Sequence, residues 1–233
     1  RQGQQAGFLR YRAAGRRDPN LLTCDLVCHG VPSPAVFRAY LDSLEAARGS
    51  RAVSVRFKDK SHGWAHPWFT VQFADGSVYT EDFNRTGYGR GFGMQLFLRP
   101  ACARCRYTST SRPADFTLAD YWGLDEKLAL PVERDKGVSM VLVNSARGQA
   151  VFDALSPRFG QVERPLAEAV AGNPRLASPL KANPRRAAFF AAFAALPFAE
   201  VEKRFLALPS LPYRAAAKVL TPAMKEKIRK LLK

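Results

Sequence analysis

The chain has 233 residues, 47% of them hydrophobic, which fills the core of one large domain or a domain and a half, and its four cysteines are too few for a disulfide scaffold. No charged-then-apolar leader opens the sequence and no apolar run approaches the roughly 20 residues of a membrane span, so a soluble, reduced, cytoplasmic protein is expected. With 36 lysines and arginines against 20 acids the net charge is +16, which suits nucleic acid, an acidic lipid surface or a polyanionic cofactor, and equally an arginine-rich solvated surface.

Residues 1 to 19 are polar, rich in Gln and Arg, and without a period, as though the chain begins inside a longer one. Leu21 to Cys28 (LLTCDLVC) reads as a buried strand closed by His29-Gly30. Ser33 and Pro34 then open a helix whose apolar set is Val36, Phe37, Tyr40, Leu41 and Leu44, and Gly49 ends it. Ala52 to Phe57, Trp68 to Phe73 and Val78 to Phe83 alternate as strands, and Asp75-Gly76 is a hairpin turn, so an antiparallel meander is expected. The loop between its first two strands carries Lys58, Lys60, His62 and Trp64.

Gly87 to Gly93 (GYGRGFG) lacks the strand-then-helix setting of a phosphate cradle and reads as a mobile connection. Leu98 to Gly123 holds the closely spaced pair Cys102 and Cys105 under neighbouring positive charge, a setting for a metal, a cluster or a reactive thiol. Val138 to Val143 reads as a central strand and Arg147 to Leu155 as a helix with Val151, Phe152 and Leu155 on one face. From Arg185 onward the sequence is helical and broken by prolines, and it ends in a basic amphipathic segment, Ala223 to Lys233. The fold class expected is α/β, a mixed sheet with a hairpin meander, divided into a domain over 1–172 and a helical basic extension over 173–233.

If Leu21 to Cys28 is extended, Cys24 and Cys28 stand about 13 Å apart along the strand, too far to share one zinc ion. Cys24 is then expected as a core thiol. Cys28, Cys102 and Cys105 remain as the best ligand set, with a fourth ligand unaccounted for. Three thiolates fit an iron-sulfur cluster with a missing or non-cysteine ligand better than a closed zinc site, and inert cysteines remain an alternative.

Five motifs occur in order: Cys28-His29-Gly30-Val31-Pro32-Ser33-Pro34; Phe57-Lys58-Asp59-Lys60 with Gly63-Trp64; Leu98-Arg99-Pro100-Ala101-Cys102 with Cys105; Asp115 through Gly123; and Asp135-Lys136-Gly137-Val138-Ser139. Over roughly residues 5 to 155 this order resembles the C-terminal domain of the coenzyme F420 hydrogenase/dehydrogenase beta-subunit family. The resemblance implies an iron-sulfur flavoprotein that passes electrons between a 4Fe-4S cluster, FAD and a partner such as the deazaflavin F420 or a ferredoxin. The chain departs from the pattern at Gly3, where the family has a cysteine expected to ligate the cluster, and at Ala119, where it has a glycine; a ferredoxin-like portion is also missing.

The reading that follows is an oxidoreductase subunit in which Cys28, Cys102 and Cys105 hold the cluster. Arg56, Lys58 and Lys60 would neutralise a pyrophosphate and Trp64 would stack on a ring, against their ordinary reading as solvated cations and an edge aromatic. Asp120 and Trp122 are expected to buttress the thiol loop, with acid-base work by Asp120 as the weaker option. Two alternatives stand: a zinc-stabilised basic nucleic-acid-binding protein using the same cysteines, although nucleic acid is the less favoured partner, and a truncated family member without cofactor.

Overall fold

The computed structural model describes residues 20–124 and 133–208, together with positions 7, 9, 18, 128 and 130. Gly3 and the basic segment Ala223 to Lys233 lie outside the described residues. Two three-stranded sheets form the frame. One is mixed, with β1 (Cys24–Leu26) parallel to β5 (Phe116–Asp120) and β5 antiparallel to β6 (Ser139–Val143). The other is the expected meander of β2 (Ala52–Asp59), β3 (Trp68–Phe73) and β4 (Val78–Asp82).

Helix α1 (Pro34–Arg48) follows its sequence signals closely. Pro34 sits in its first turn, Gly49 takes the left-handed conformation at φ 67°, and its N–H donates to the Glu45 carbonyl. Ser33 holds the N-cap backbone geometry without a side-chain bond. The meander turn likewise places Gly76 at φ 84°, a region open to glycine at little steric cost.

Three elements differ from expectation. The first strand is only Cys24–Leu26, with Asp25 buried and its two neighbours exposed, because β1 pairs on one side alone. β6 is an edge strand, since β5 occupies the middle of its sheet. Gly87 to Gly93 is a helix, α2, in place of a mobile connection: Thr86 caps it by accepting from the Gly89 N–H at 2.9 Å. Each helical glycine costs about 1 kcal/mol against alanine, yet a Cβ on Gly89 would fall 1.8 Å from the Phe83 carbonyl oxygen and one on Gly91 2.2 Å from the Phe97 ring. Close packing therefore requires the glycines that make the segment look irregular in sequence.

Two cores result. The larger is aromatic and joins α1, the meander and α2 to the helices α5 (Arg186–Ala195) and α6 (Phe198–Val201), the last running on into a π-helical turn through Leu206. Val36, Phe69, Phe97, Phe189 and Val201 are fully buried in it. The smaller lies on the mixed sheet, where Tyr121, Met140 and Leu176 meet Ala169 of α4 (Leu166–Gly172). α3 (Ala146–Leu155) follows β6, and on its expected apolar face Leu155 is exposed. Among the described residues no helix is long and apolar enough to cross a membrane.

Candidate functional site

The loop from Cys28 to Pro34 runs beside the segment from Phe97 to Cys102. Ser33 N–H donates to the Phe97 carbonyl at 3.0 Å and Arg99 N–H to the Val31 carbonyl at 2.9 Å. Gly30 fits because a Cβ there would come 2.6 Å from Leu98. A 3-10 turn, Pro100–Arg104, then presents Cys102 and is followed at once by Cys105. Val31 N–H donates to the Cys102 sulfur at 3.3 Å.

Beyond Cys105 the chain is pinned to β1 by a buried ion pair. Arg112 donates to Asp25 at 2.9 Å, and their side chains are only 3% and 6% exposed. Arg112 also reaches the carbonyls of Tyr107 and Leu26, while Asp25 accepts from the Thr117 hydroxyl at 2.6 Å. A second polar node sits close by: Asp115 accepts from Thr23 N–H and hydroxyl and from Ser145, the N-cap of α3. Burial pushes the Asp115 carboxyl up, but the bonds from Ser145 and Thr23 outweigh it and hold the group below the usual aspartate range.

These segments enclose a cavity of about 640 Å³ lined by all four cysteines. Cys28, Cys102 and Cys105, the expected ligand set, each line it. Cys24 is not a core thiol: it is exposed on β1 and lines the cavity, beside the buried Asp25 that lines it too. Burial and the Asp25 carboxylate push its pKa up. Among the described residues no three of His, Cys, Asp and Glu are gathered to hold one metal ion, so a single shared zinc does not fit these thiols. In an iron-sulfur cluster each thiolate ligates a different iron, and sulfurs spread around one cavity fit that donor requirement.

A second cavity, of about 450 Å³, opens on the other side of His29. Lys58 and Lys60 line it together with Trp64, Asp120 and Trp122. Asp59, between the two lysines, is buried and accepts from Ser61 N–H, Arg56 and Thr70, while Lys58 and Lys60 on either side of it are exposed and line the cavity. Arg56, expected beside them, does not line this cavity; it pairs with Asp59 at 2.7 Å.

Trp64 is the point where three of the motifs converge. Its indole N–H donates to Asp120 at 3.2 Å, its ring lies 4.6 Å from that of Trp122, and its backbone N–H donates to the Asp135 carbonyl at 2.8 Å. Gly137, at φ 87°, leaves room for it: a Cβ there would fall 2.6 Å from the indole. Asp120 and Trp122 therefore buttress Trp64, in place of the thiol loop that their sequence position suggests. Trp122 itself is 47% exposed, and only its place in the Asp115 to Gly123 motif hints at a role.

His29 is the residue common to the two cavity walls. Its Nε2 lies 3.2 Å from the Phe92 carbonyl and its ring 4.6 Å from the Phe92 ring. Burial lowers its pKa, the Phe92 carbonyl opposes that, and Lys58 and Arg175 add to the lowering. A neutral imidazole is the form this setting favours.

Among curated protein sequences none matches this chain. A chain of the F420-reducing [NiFe] hydrogenase complex from Methanosarcina barkeri, studied by xenon derivatization, aligns at 14% identity and a TM-score of 0.37 over 74% of this chain and 56% of that one. This chain thus spans a little over half the length of that one. The family model for coenzyme F420 hydrogenase/dehydrogenase, C terminus of the beta subunit, matches residues 5–163, more than half of the 233. With the motifs gathered around two adjoining cavities, that match identifies the chain as a member of the coenzyme F420 hydrogenase/dehydrogenase beta-subunit family, carrying its C-terminal domain.

Proposed function

We propose that this chain is part of an oxidoreductase subunit in which the cysteine cavity holds an iron-sulfur cluster and the lysine-tryptophan cavity holds a flavin. The observation that carries the reading is the single shared wall: His29 separates a cavity lined by four thiols from one lined by two lysines and two tryptophans. Bound there, the cluster would supply single-electron exchange and the flavin hydride exchange with a deazaflavin or a ferredoxin-type partner, chemistry that belongs to the cofactors.

The protein's own part is to hold and orient. Cys28, Cys102 and Cys105 are the cluster ligands, and Cys24, facing the same cavity, takes the fourth position that Gly3 leaves open. Val31 N–H, donating to the Cys102 sulfur, fixes where that ligand points. Lys58 and Lys60 neutralise phosphate oxygens, and the Trp64 ring, fixed by Asp120 and Gly137, offers a face for a flavin ring. Arg56 acts at one remove, by holding Asp59 and with it the orientation of the two lysines.

Anaerobic titration with FAD, followed by tryptophan fluorescence, tests the flavin half. Quenching should saturate in the wild type and weaken at least tenfold in Kd when Trp64→Ala and Lys58→Ala are combined. Equal affinity in the double variant would refute this site. The nucleic-acid alternative requires a zinc held by the cysteines, which the arrangement of the described thiols does not favour.

A further inference from the structure

The segment that follows the family match enters the thiol cavity. Asn173 ends α4, and its side chain donates to the Asp120 carbonyl at 3.3 Å. The next 3-10 turn, Pro174–Leu176, buries Leu176 completely in the smaller core. That anchor sets Arg175, along with Leu180, in the cavity wall beside the four cysteines.

Arg175, half-buried as a residue, differs from the Arg112 cation in the same wall. Arg112 is fully engaged with Asp25 and with the carbonyls of Tyr107 and Leu26. The Arg175 Nη1 is buried and has no hydrogen-bond partner among the described residues. Leaving a buried polar group unpaired is unfavourable, and more so when it is charged. Among the described residues of the cavity wall the carboxylate is Asp25, which is held by Arg112 and Thr117.

We propose that Arg175 is a positioning residue for an anionic group in the thiol cavity, with its guanidinium placed to compensate the charge that the thiolates and their bound iron and sulfide carry. This rests on the iron-sulfur reading above. A thiolate-ligated cluster is more negative when reduced, so a fixed cation beside it favours the reduced state and raises the reduction potential.

The test compares wild type with Arg175→Gln and Arg175→Lys after anaerobic reconstitution with iron and sulfide, reading iron content and the midpoint potential by dithionite titration with EPR. Arg175→Gln should bind as much iron as wild type and be harder to reduce, by about tenfold in the equilibrium, or about 59 mV for one electron. Arg175→Lys, which keeps the charge but not its reach, should fall between. A wild-type potential in Arg175→Gln overturns the assignment and leaves the iron-sulfur reading standing. A wild-type chain that takes up no iron overturns both. Should Arg175→Gln fail to fold by circular dichroism, Arg175→Lys decides, a displaced potential supporting the assignment and an unmoved one refuting it.

Discussion

The two halves of the molecule are held by different forces. Around the meander, stability comes from area: Tyr40, Phe69, Tyr88, Phe97 and Phe189 stack and cross with ring centroids 5.2 to 5.9 Å apart. Burial pushes the Tyr88 hydroxyl up to about 12, as expected of a phenol kept from water. Around the mixed sheet the apolar cluster is small, and polar pins take over, with Asp25 and Asp115 each binding segments about ninety residues apart in sequence. The two cavities lie where these regimes meet, with His29 between them. A broad apolar core backs the lysine strand, while charge-assisted bonds hold the thiol side together.

The largest effect should come from the aromatic side. Phe189→Ala empties the centre of that core and should cost about 4 kcal/mol in urea unfolding. Because that core joins the meander to the helices that follow the mixed sheet, both halves should lose structure together. Arg112→Ala comes next, at about 3 kcal/mol, since it strands Asp25 in the interior. Its mark should be local: faster amide exchange in residues 105–113 and β1, with the meander protected. If Arg112→Ala loosens the meander as much as the mixed sheet, the division of labour between area and pins is wrong.

Asp115→Asn should cost about 2 kcal/mol at neutral pH, because three bonds to a carboxylate weaken at once. The pH dependence has a fixed sign. The Asp115 pKa is lowered on folding, so its contribution is complete above the unfolded value of about 3.9 and is lost as pH falls below that through the folded pKa. Asp115→Asn should flatten that part of the acid limb, and an unchanged limb would assign the acid sensitivity elsewhere. Gly137→Ala is the smallest, about 1 kcal/mol, since φ is strained and a methyl meets the Trp64 indole. Its clearer signature is a shift in tryptophan emission as the Trp64–Trp122 pair separates.

Much of this is legible in the sequence where the cause is local. Pro34 and Gly49 mark both ends of α1, and Asp75-Gly76 marks the meander turn, because backbone conformation there is set by the residue itself. The three cysteines and the lysine-tryptophan loop are legible as candidates too. What sequence does not supply depends on distant packing. α2 forms because Phe83, Phe97 and Leu206 crowd its glycines, and no window of residues 87 to 93 reveals them. Cys24 faces the cavity because β1 pairs with β5 on one side, a parallel pairing between segments about ninety residues apart. Arg56 departs from expectation for the opposite reason: its partner Asp59 is three residues away, and that near contact outcompetes the cavity. Arg175 carries no motif at all and owes its position to the burial of Leu176.

The most direct test of the account is to quantify iron and acid-labile sulfide in the same sample of anaerobically reconstituted protein, beside the Cys24→Ala and Cys102→Ser variants. The account predicts iron and sulfide in equal amounts with a broad visible absorption in wild type, near-complete loss in Cys102→Ser, and a less stable, iron-poor product in Cys24→Ala. A colourless wild-type protein, or one that binds zinc and no sulfide, would contradict it.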